Sequence, residues 1–188
     1  MQRSEARTEF MNEQSTTIGE IEAAIRTIPD FPRPGIQFKD ITPVLADPRL
    51  FAGSVRLLAN SVGGQRIDTV AGIEARGFIF ASAVALQLGA GFVPVRKKGK
   101  LPYKTLEASY DLEYGTNTIE MHVDAVKPGS KVLLVDDLLA TGGTAAAAAG
   151  LLAKLGAEVV AISFLVELTF LNGRKRLSGY QVHSFIRY

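Results

Sequence analysis

The sequence predicts an α/β fold, a mostly parallel twisted sheet flanked by helices, on three observations. Short continuous apolar runs, with VLLV at 132–135 the clearest, have the length and composition of central parallel strands covered on both faces. Such runs alternate along the chain with stretches of helical periodicity. Several of them end in turns rich in glycine, threonine and charge, at the carboxyl ends of strands, where open α/β sheets bind ligands.

The elements follow in order. Residues 1–16 are polar and mixed in charge, show no signal-peptide pattern, and read as a disordered extension, leaving 17–188 as a single domain. Thr17 and Glu20 have the spacing of a capping box. The helix they open carries Ile18, Ile21, Ile25 and Ile28 on one face and stops at Pro29. The stretch FPRPGIQFKDITPVL, 31–45, holds prolines and a glycine that forbid a regular helix, and reads as a long shaped loop. Asp47 and Pro48 form an N-cap and a first-turn proline for a helix to about Val62, with Phe51, Val55 and Leu58 inward.

Residues 68–73 read as a strand, and 78–88, apolar on all sides, as a buried helix with Gly89 as its C-cap. Strands are expected at 92–95, 118–123, 131–135, 158–166 and 180–186. The basic segment 96–115 lies between two of them and reads as a hinged excursion. From Thr144 the chain is Ala-rich and helical, with Leu151, Leu152 and Leu155 on one stripe and Gly156 as its stop.

Composition narrows the function. The chain has 188 residues, 47% of them apolar, which suffices for a substantial core. A net charge of +2 gives no case for nucleic-acid binding. No cysteine is present, which excludes disulfides, thiolate metal sites and cysteine nucleophiles and fits a cytoplasmic location. His122 and His183 are in no zinc spacing and read as ordinary strand or surface residues. No apolar run is long enough to span a membrane.

The stretch KVLLVDDLLATGGTAAAAAG, 131–150, is the most informative. Leu138 to Gly143 reads as a strand-to-helix loop. Its small residues, Ala140, Gly142 and Gly143, let backbone N–H groups approach an anion, the helix N-terminus favours negative charge, and Thr141 and Thr144 add hydroxyls. Asp136 and Asp137 would repel a bare phosphate by roughly 4 kcal/mol per unit charge pair at 4 Å and a dielectric near 20. They make sense facing hydroxyl donors or a divalent cation on the same ligand, so a sugar phosphate with a metal meets both demands. A nucleotide-type P-loop needs a lysine after the glycines, and a dinucleotide fingerprint needs G-x-G-x-x-G; neither is present.

Two other constellations sit at strand ends. Arg76, flanked by Gly72 and Gly77, reads either as a bidentate phosphate grip or as an ion pair with Glu74. Arg96, Lys97, Lys98, Lys100 and Lys104 place five cations in nine residues directly after a strand, an anion clamp. Glu113, in the SYDLEYG segment, could handle a proton once a lid closes.

VLLVDDLLATGGT is similar to the ribose-phosphate signature of type I phosphoribosyltransferases. FPRPGIQFKDITPVL, ARGF, RKKGKLP and ASYDLEYG resemble the branch of that family that takes adenine, in family order from about residue 17 to the C-terminus. The resemblance implies a Rossmann-like sheet with an N-terminal base-binding hood and a flexible lid loop. It implies purine salvage: adenine and 5-phosphoribosyl 1-pyrophosphate give AMP and pyrophosphate, with Mg²⁺. Ala140 to Thr144 would cradle the 5′-phosphate. Asp136 and Asp137 would hold the ribose hydroxyls, directly or through metal-bound water. Arg76, Lys97 and Lys100 would hold pyrophosphate. Phe38 would pack on adenine while the backbone of Gln37 and Lys39 reads its edge. Glu113 would assist proton movement and Tyr114 would close the lid; Glu113, Asp137 and Arg76 would be the catalytic group. The resemblance also implies a homodimer, with a partner's arginine or lysine reaching the site. The alternatives are transfer to another purine base, and a non-catalytic regulator that senses the sugar pyrophosphate. Two departures stand out: Lys39 replaces a common arginine, and Tyr103 a residue that is small in some members.

Overall fold

The computed structural model describes residues 16–111 and 116–188, which fall into two compact units divided between Ser54 and Val55. Residues 1–15 of the expected extension at 1–16, and the segment with Glu113 and Tyr114, lie outside the described residues; Thr16, the last residue of that extension, donates to Arg49 O at 3.1 Å.

The first unit opens with α1 (Ile18–Ala24), and its capping box is formed: Glu20 N donates to Thr17 Oγ1 and Thr17 N to Glu20 Oε2, 3.2 and 2.8 Å. The helix is shorter than its isoleucine spacing predicts. Arg26–Pro29 is a strand, β1, paired antiparallel with β2 (Gln37–Asp40), Ile28 opposite Phe38. The β-branched run from Ile25 to Ile28 accepts an extended backbone once a partner strand is supplied. That partner comes from the segment read as a loop, which also provides α2 (Thr42–Ala46). Asp40 joins these pieces: it pairs with Arg26 at 2.6 Å and accepts Thr42 N at 2.9 Å. Asp47 Oδ1 accepts Arg49 N and Leu50 N, capping α3 (Pro48–Asn60), as read from sequence.

The second unit is built on a seven-stranded sheet. Its strands are β3 (Thr69–Ile73), β4 (Gly91–Lys97), β5 (Thr105–Asp111), β6 (Thr116–His122), β7 (Lys131–Leu139), β8 (Glu158–Glu167) and β9 (Val182–Arg187), in spatial order β5-β6-β4-β3-β7-β8-β9. β4, β3, β7, β8 and β9 run parallel; β6 and β5 are antiparallel to their neighbours. The basic segment read as an excursion is therefore a tight turn followed by one arm of a hairpin. The alternation of polar Thr105, Glu107 and Ser109 with apolar Leu106, Ala108 and Tyr110 suits that arm.

α4 (Gly77–Leu88) joins β3 to β4, and α5 (Gly143–Lys154) joins β7 to β8. These crossovers run in opposite directions across the sheet, so right-handed connections put the helices on opposite faces. The switch point lies between β3 and β7, and the turns leaving both strands meet the same crevice. α4 is not buried all round, as its composition predicts. Phe80, Ala81, Val84 and Ala85 face the core, whereas Leu86 is 84% exposed.

Candidate active site

The two aspartates lie inside a strand, not beyond its end. β7 continues to Leu139 because β8 keeps pairing with it as far as Glu167, while β3 stops opposite Val135. Asp136 and Asp137 thus occupy the stretch where β7 has lost one neighbour and kept the other. The loop proper is only Ala140 to Gly142. Gly142, with φ of 79°, is the N-cap of α5, and no side chain caps that helix. Its first-turn amides remain for an anion. A pocket of about 70 Å³ opens there, lined by Asp136, Leu138, Ala140, Thr141, Gly142 and Thr144 among others.

The carboxylates have different surroundings. Asp136 is half-buried beside this pocket, and its Oδ1 accepts Asp137 N at 2.9 Å. Asp137 is buried, and its Oδ2 lies 2.8 Å from Arg76 Nε without the alignment of a hydrogen bond. Burial, then the neighbouring Asp137 charge, pushes the Asp136 carboxyl well above the ordinary range. Burial also raises Asp137, against the opposing pull of Arg76. Raised folded-state pKa values mean that charging this pair destabilises the fold as pH rises, and that the deficit is relieved as pH falls through the raised values toward 3.8. Asp136→Asn keeps the acceptor to Asp137 N but removes one charge. It should melt above the native chain at pH 7.5, with the gap closing as pH is lowered toward 4, read by thermal melts across that range.

Arg76 does not pair with Glu74, one of the two readings from the sequence; it pairs with Asp137. Glu74 is instead engaged by Arg96, with Nε and Nη2 each at 3.1 Å, and by Lys97 N. These bonds outweigh burial and hold the Glu74 carboxyl below its usual range. Gly72 and Gly77 make room for neighbouring protein atoms. A Cβ at Gly72 would meet Ala81 and Phe92, and one at Gly77 would come within 2.5 Å of Asp136 Oδ1. In the basic turn, Lys98 pairs with Glu107 at 2.7 Å, whereas Lys97, Lys100 and Lys104 are exposed. Buried Glu120 accepts Lys100 N and Leu101 N, both at 2.8 Å, and fixes the turn's backbone. In the first unit, Gln37, Phe38 and Lys39 follow one another along β2. Phe38 meets Phe31 edge-to-face at 5.1 Å, and Lys39 Nζ donates to Thr27 Oγ1.

Gly173 escaped the sequence reading. It opens a 3₁₀ turn, Gly173–Leu177, after β8, and its backbone presses on the anion loop. A Cβ on Gly173 would overlap Ala140 O and lie 3.0 Å from Gly142 N; one on Gly142 would overlap Gly173 O. The only local sign is an Asn-Gly pair, a turn signal without a stated target. Gly173→Ala should lower stability by about 1–3 kcal/mol, or roughly 5 °C in a thermal melt, because the colliding atoms are backbone.

The chain matches the model of the phosphoribosyl transferase domain family over residues 40–184. It is 61% identical over 171 residues to the adenine phosphoribosyltransferase of Acidothermus cellulolyticus, covering 90% of this chain and 97% of that protein. The crystal structure of adenine phosphoribosyltransferase from Thermoanaerobacter pseudethanolicus superposes with a TM-score of 0.89 at 55% identity, over 92% of this chain and all of that one. The Saccharomyces cerevisiae enzyme, complexed with an imino-altritol bisphosphate and adenine, gives 0.85 at 41% identity, over 89% and 97%. The turn after β7 is therefore set in a chain that belongs to the adenine phosphoribosyltransferases of the phosphoribosyltransferase family.

Proposed function

We propose that the protein is a purine-salvage enzyme that transfers the phosphoribosyl group of 5-phosphoribosyl 1-pyrophosphate to adenine, giving AMP and pyrophosphate. The observation that carries this reading is the uncapped N-terminus of α5 beside the Asp136–Asp137 pair, at the switch point of a phosphoribosyltransferase chain. Amides and hydroxyls of Ala140 to Thr144 bind the 5′-phosphate. Asp136, open to the pocket, takes the ribose hydroxyls. Asp137 holds Arg76 at the crevice, where the pyrophosphate lies, with Lys97 and Lys100 reaching it from the basic turn.

In the reaction the anomeric C–O bond to pyrophosphate breaks with its electron pair on the leaving group, adenine N9 forms the new bond, and the N9 proton is lost. Positive charge grows on the sugar and negative charge on the pyrophosphate. The ionised aspartates offset the first, and Arg76, Lys97 and Lys100 stabilise the second, so the interactions strengthen in the transition state. Glu113 takes part in moving the proton, and Tyr114 closes over the base while water is excluded. Phe38 packs on the adenine ring.

Enzymes of this family use Mg²⁺ with the sugar pyrophosphate. Among the described residues no group of three or more His, Asp or Glu is placed to hold an ion. The donor set fits an ion carried by substrate oxygens and water, as Mg²⁺ usually is, with Asp136 and Asp137 contacting it indirectly. When bound it supplies charge neutralisation on the leaving pyrophosphate.

The chain assembles as a homodimer through the outer face of α4, where Ile79 is 40% and Leu86 84% exposed. Leu86→Glu should shift the sedimentation profile from dimer to monomer. No helix among the described residues is long and apolar enough to cross a membrane, and a cysteine-free chain fits the cytoplasm. Conversion of labelled adenine to AMP, dependent on the sugar pyrophosphate, tests the function. Absence of product, with hypoxanthine, guanine or orotate consumed instead, overturns it.

A further inference from the structure

We propose that Glu167 and Arg174 are positioning residues for sugar-phosphate binding: their ion pair fixes Gly173 against the Ala140–Gly142 loop and so sets the shape of the anion cradle. This rests on the reading of that loop as the 5′-phosphate site.

Glu167 is the last residue of β8, in register with Leu139 at the end of β7, where Leu168 N donates to Leu139 O at 2.9 Å. Its side chain is nearly buried and turns toward the strand beyond. Arg174 grips it with a fork, Nε to Oε1 at 3.2 Å and Nη2 to Oε2 at 2.7 Å. Ser184 Oγ also donates a short hydrogen bond to Oε2, and Arg187 stands 3.8 Å away. The remaining Arg174 donors go to β9, Nη1 to Val182 O and Nη2 to Ser184 Oγ, both 2.8 Å. The guanidinium is thus tied to the ends of two strands.

One residue earlier in the chain is Gly173, whose buried backbone touches the loop with no side chain between. The 3₁₀ turn has a second anchor at its far end, where Leu177 is buried in the core. Leu177 fixes where the turn lies. Arg174, adjacent to Gly173, fixes how its first residue is presented to Ala140 and Gly142. The cradle needs this because its own residues are small and Gly142 adopts a left-handed conformation that leaves the amides free to reorient. A buried carboxylate at this place is a poor source of stability, since an apolar pair of the same size often serves as well. Arginine's planar fork gives a direction that a point charge does not.

The test uses the full chain with Glu167→Gln, Arg174→Lys, Arg174→Met, and the double substitution Glu167→Gln with Arg174→Met. The double variant leaves no buried unpaired charge, since Arg187, the other cation near Glu167, is 61% exposed, so it should fold and melt close to the native chain. In every variant, hydrogen exchange at the amides of 141–145 should quicken while those of β3 stay protected. KM for the sugar pyrophosphate should rise about tenfold, with kcat and KM for adenine within about threefold, the signature of a misplaced binding group. Arg174→Lys should not rescue it. Unchanged exchange at 141–145 overturns the proposal, as does a double variant that regains native KM, since the pair would then serve charge balance alone. A native chain that forms no AMP would sink the proposed reaction instead, and the exchange readout would still decide whether the pair shapes the loop.

Discussion

The purified chain should use adenine with a kcat/KM about 10⁴ or more above that for hypoxanthine. Adenine offers an exocyclic amine donor and an unprotonated N1 acceptor, whereas hypoxanthine offers a carbonyl and an N–H at the same edge. In the proposed site the one donor and one acceptor that read this edge come from the backbone of Gln37 and Lys39 on β2. Gln37 is exposed on it, and Lys39 points its amine back to Thr27. Recognition by the backbone here would make the replacement of arginine by Lys39 mild. With the wrong base both polar contacts become repulsive or unpaired, which discriminates far more strongly than a missing methylene does. Steady-state kinetics with each base at saturating sugar pyrophosphate measures the ratio, and comparable values would remove adenine as the assigned base.

Asp137→Asn should lower kcat/KM about 10²–10³-fold while shifting the ligand-free melt by only a few degrees. In the resting protein Asp137 is a buried charge raised by desolvation, and Arg76, which it faces, is 38% exposed. Neutralising the carboxylate removes a desolvated charge and leaves an arginine that can still reach water, so the fold loses little. The reaction loses more: Arg76 is no longer held at the crevice, and the sugar's growing positive charge loses a counter-charge. Kinetics and melts on the same preparation separate the two effects. Activity within threefold of the native chain would show that Asp137 has no part in the chemistry.

The central strands and both crossover helices were legible in the sequence because their apolar runs are uninterrupted and their ends carry Gly, Thr and capping signals. So was the strand-to-helix turn that follows β7. Boundaries set by tertiary pairing were not. Ile25 to Ile28 fits a helical stripe as well as a strand, and only a partner at 37–40 decides between them. The extension of β7 through Asp136 and Asp137 depends on β8 outlasting β3, which no local pattern encodes. Arg76 could not be assigned because its partner, Asp137, is sixty-one positions away, and Glu74 beside it is claimed by Arg96 from another strand. Gly173 was invisible for the same reason: its close contact is with a loop that precedes it by a whole crossover. The outer face of α4 misled in the other direction: the helix is apolar all round, yet Leu86 is 84% exposed.

A crystal structure of the full chain with AMP would test the site assignment most directly. The 5′-phosphate should lie within hydrogen-bond distance of the amides of 141–144, with the ribose hydroxyls turned to Asp136 and Asp137. A phosphate bound elsewhere, with the loop after β7 empty and the aspartates away from the ribose, would contradict the assignment.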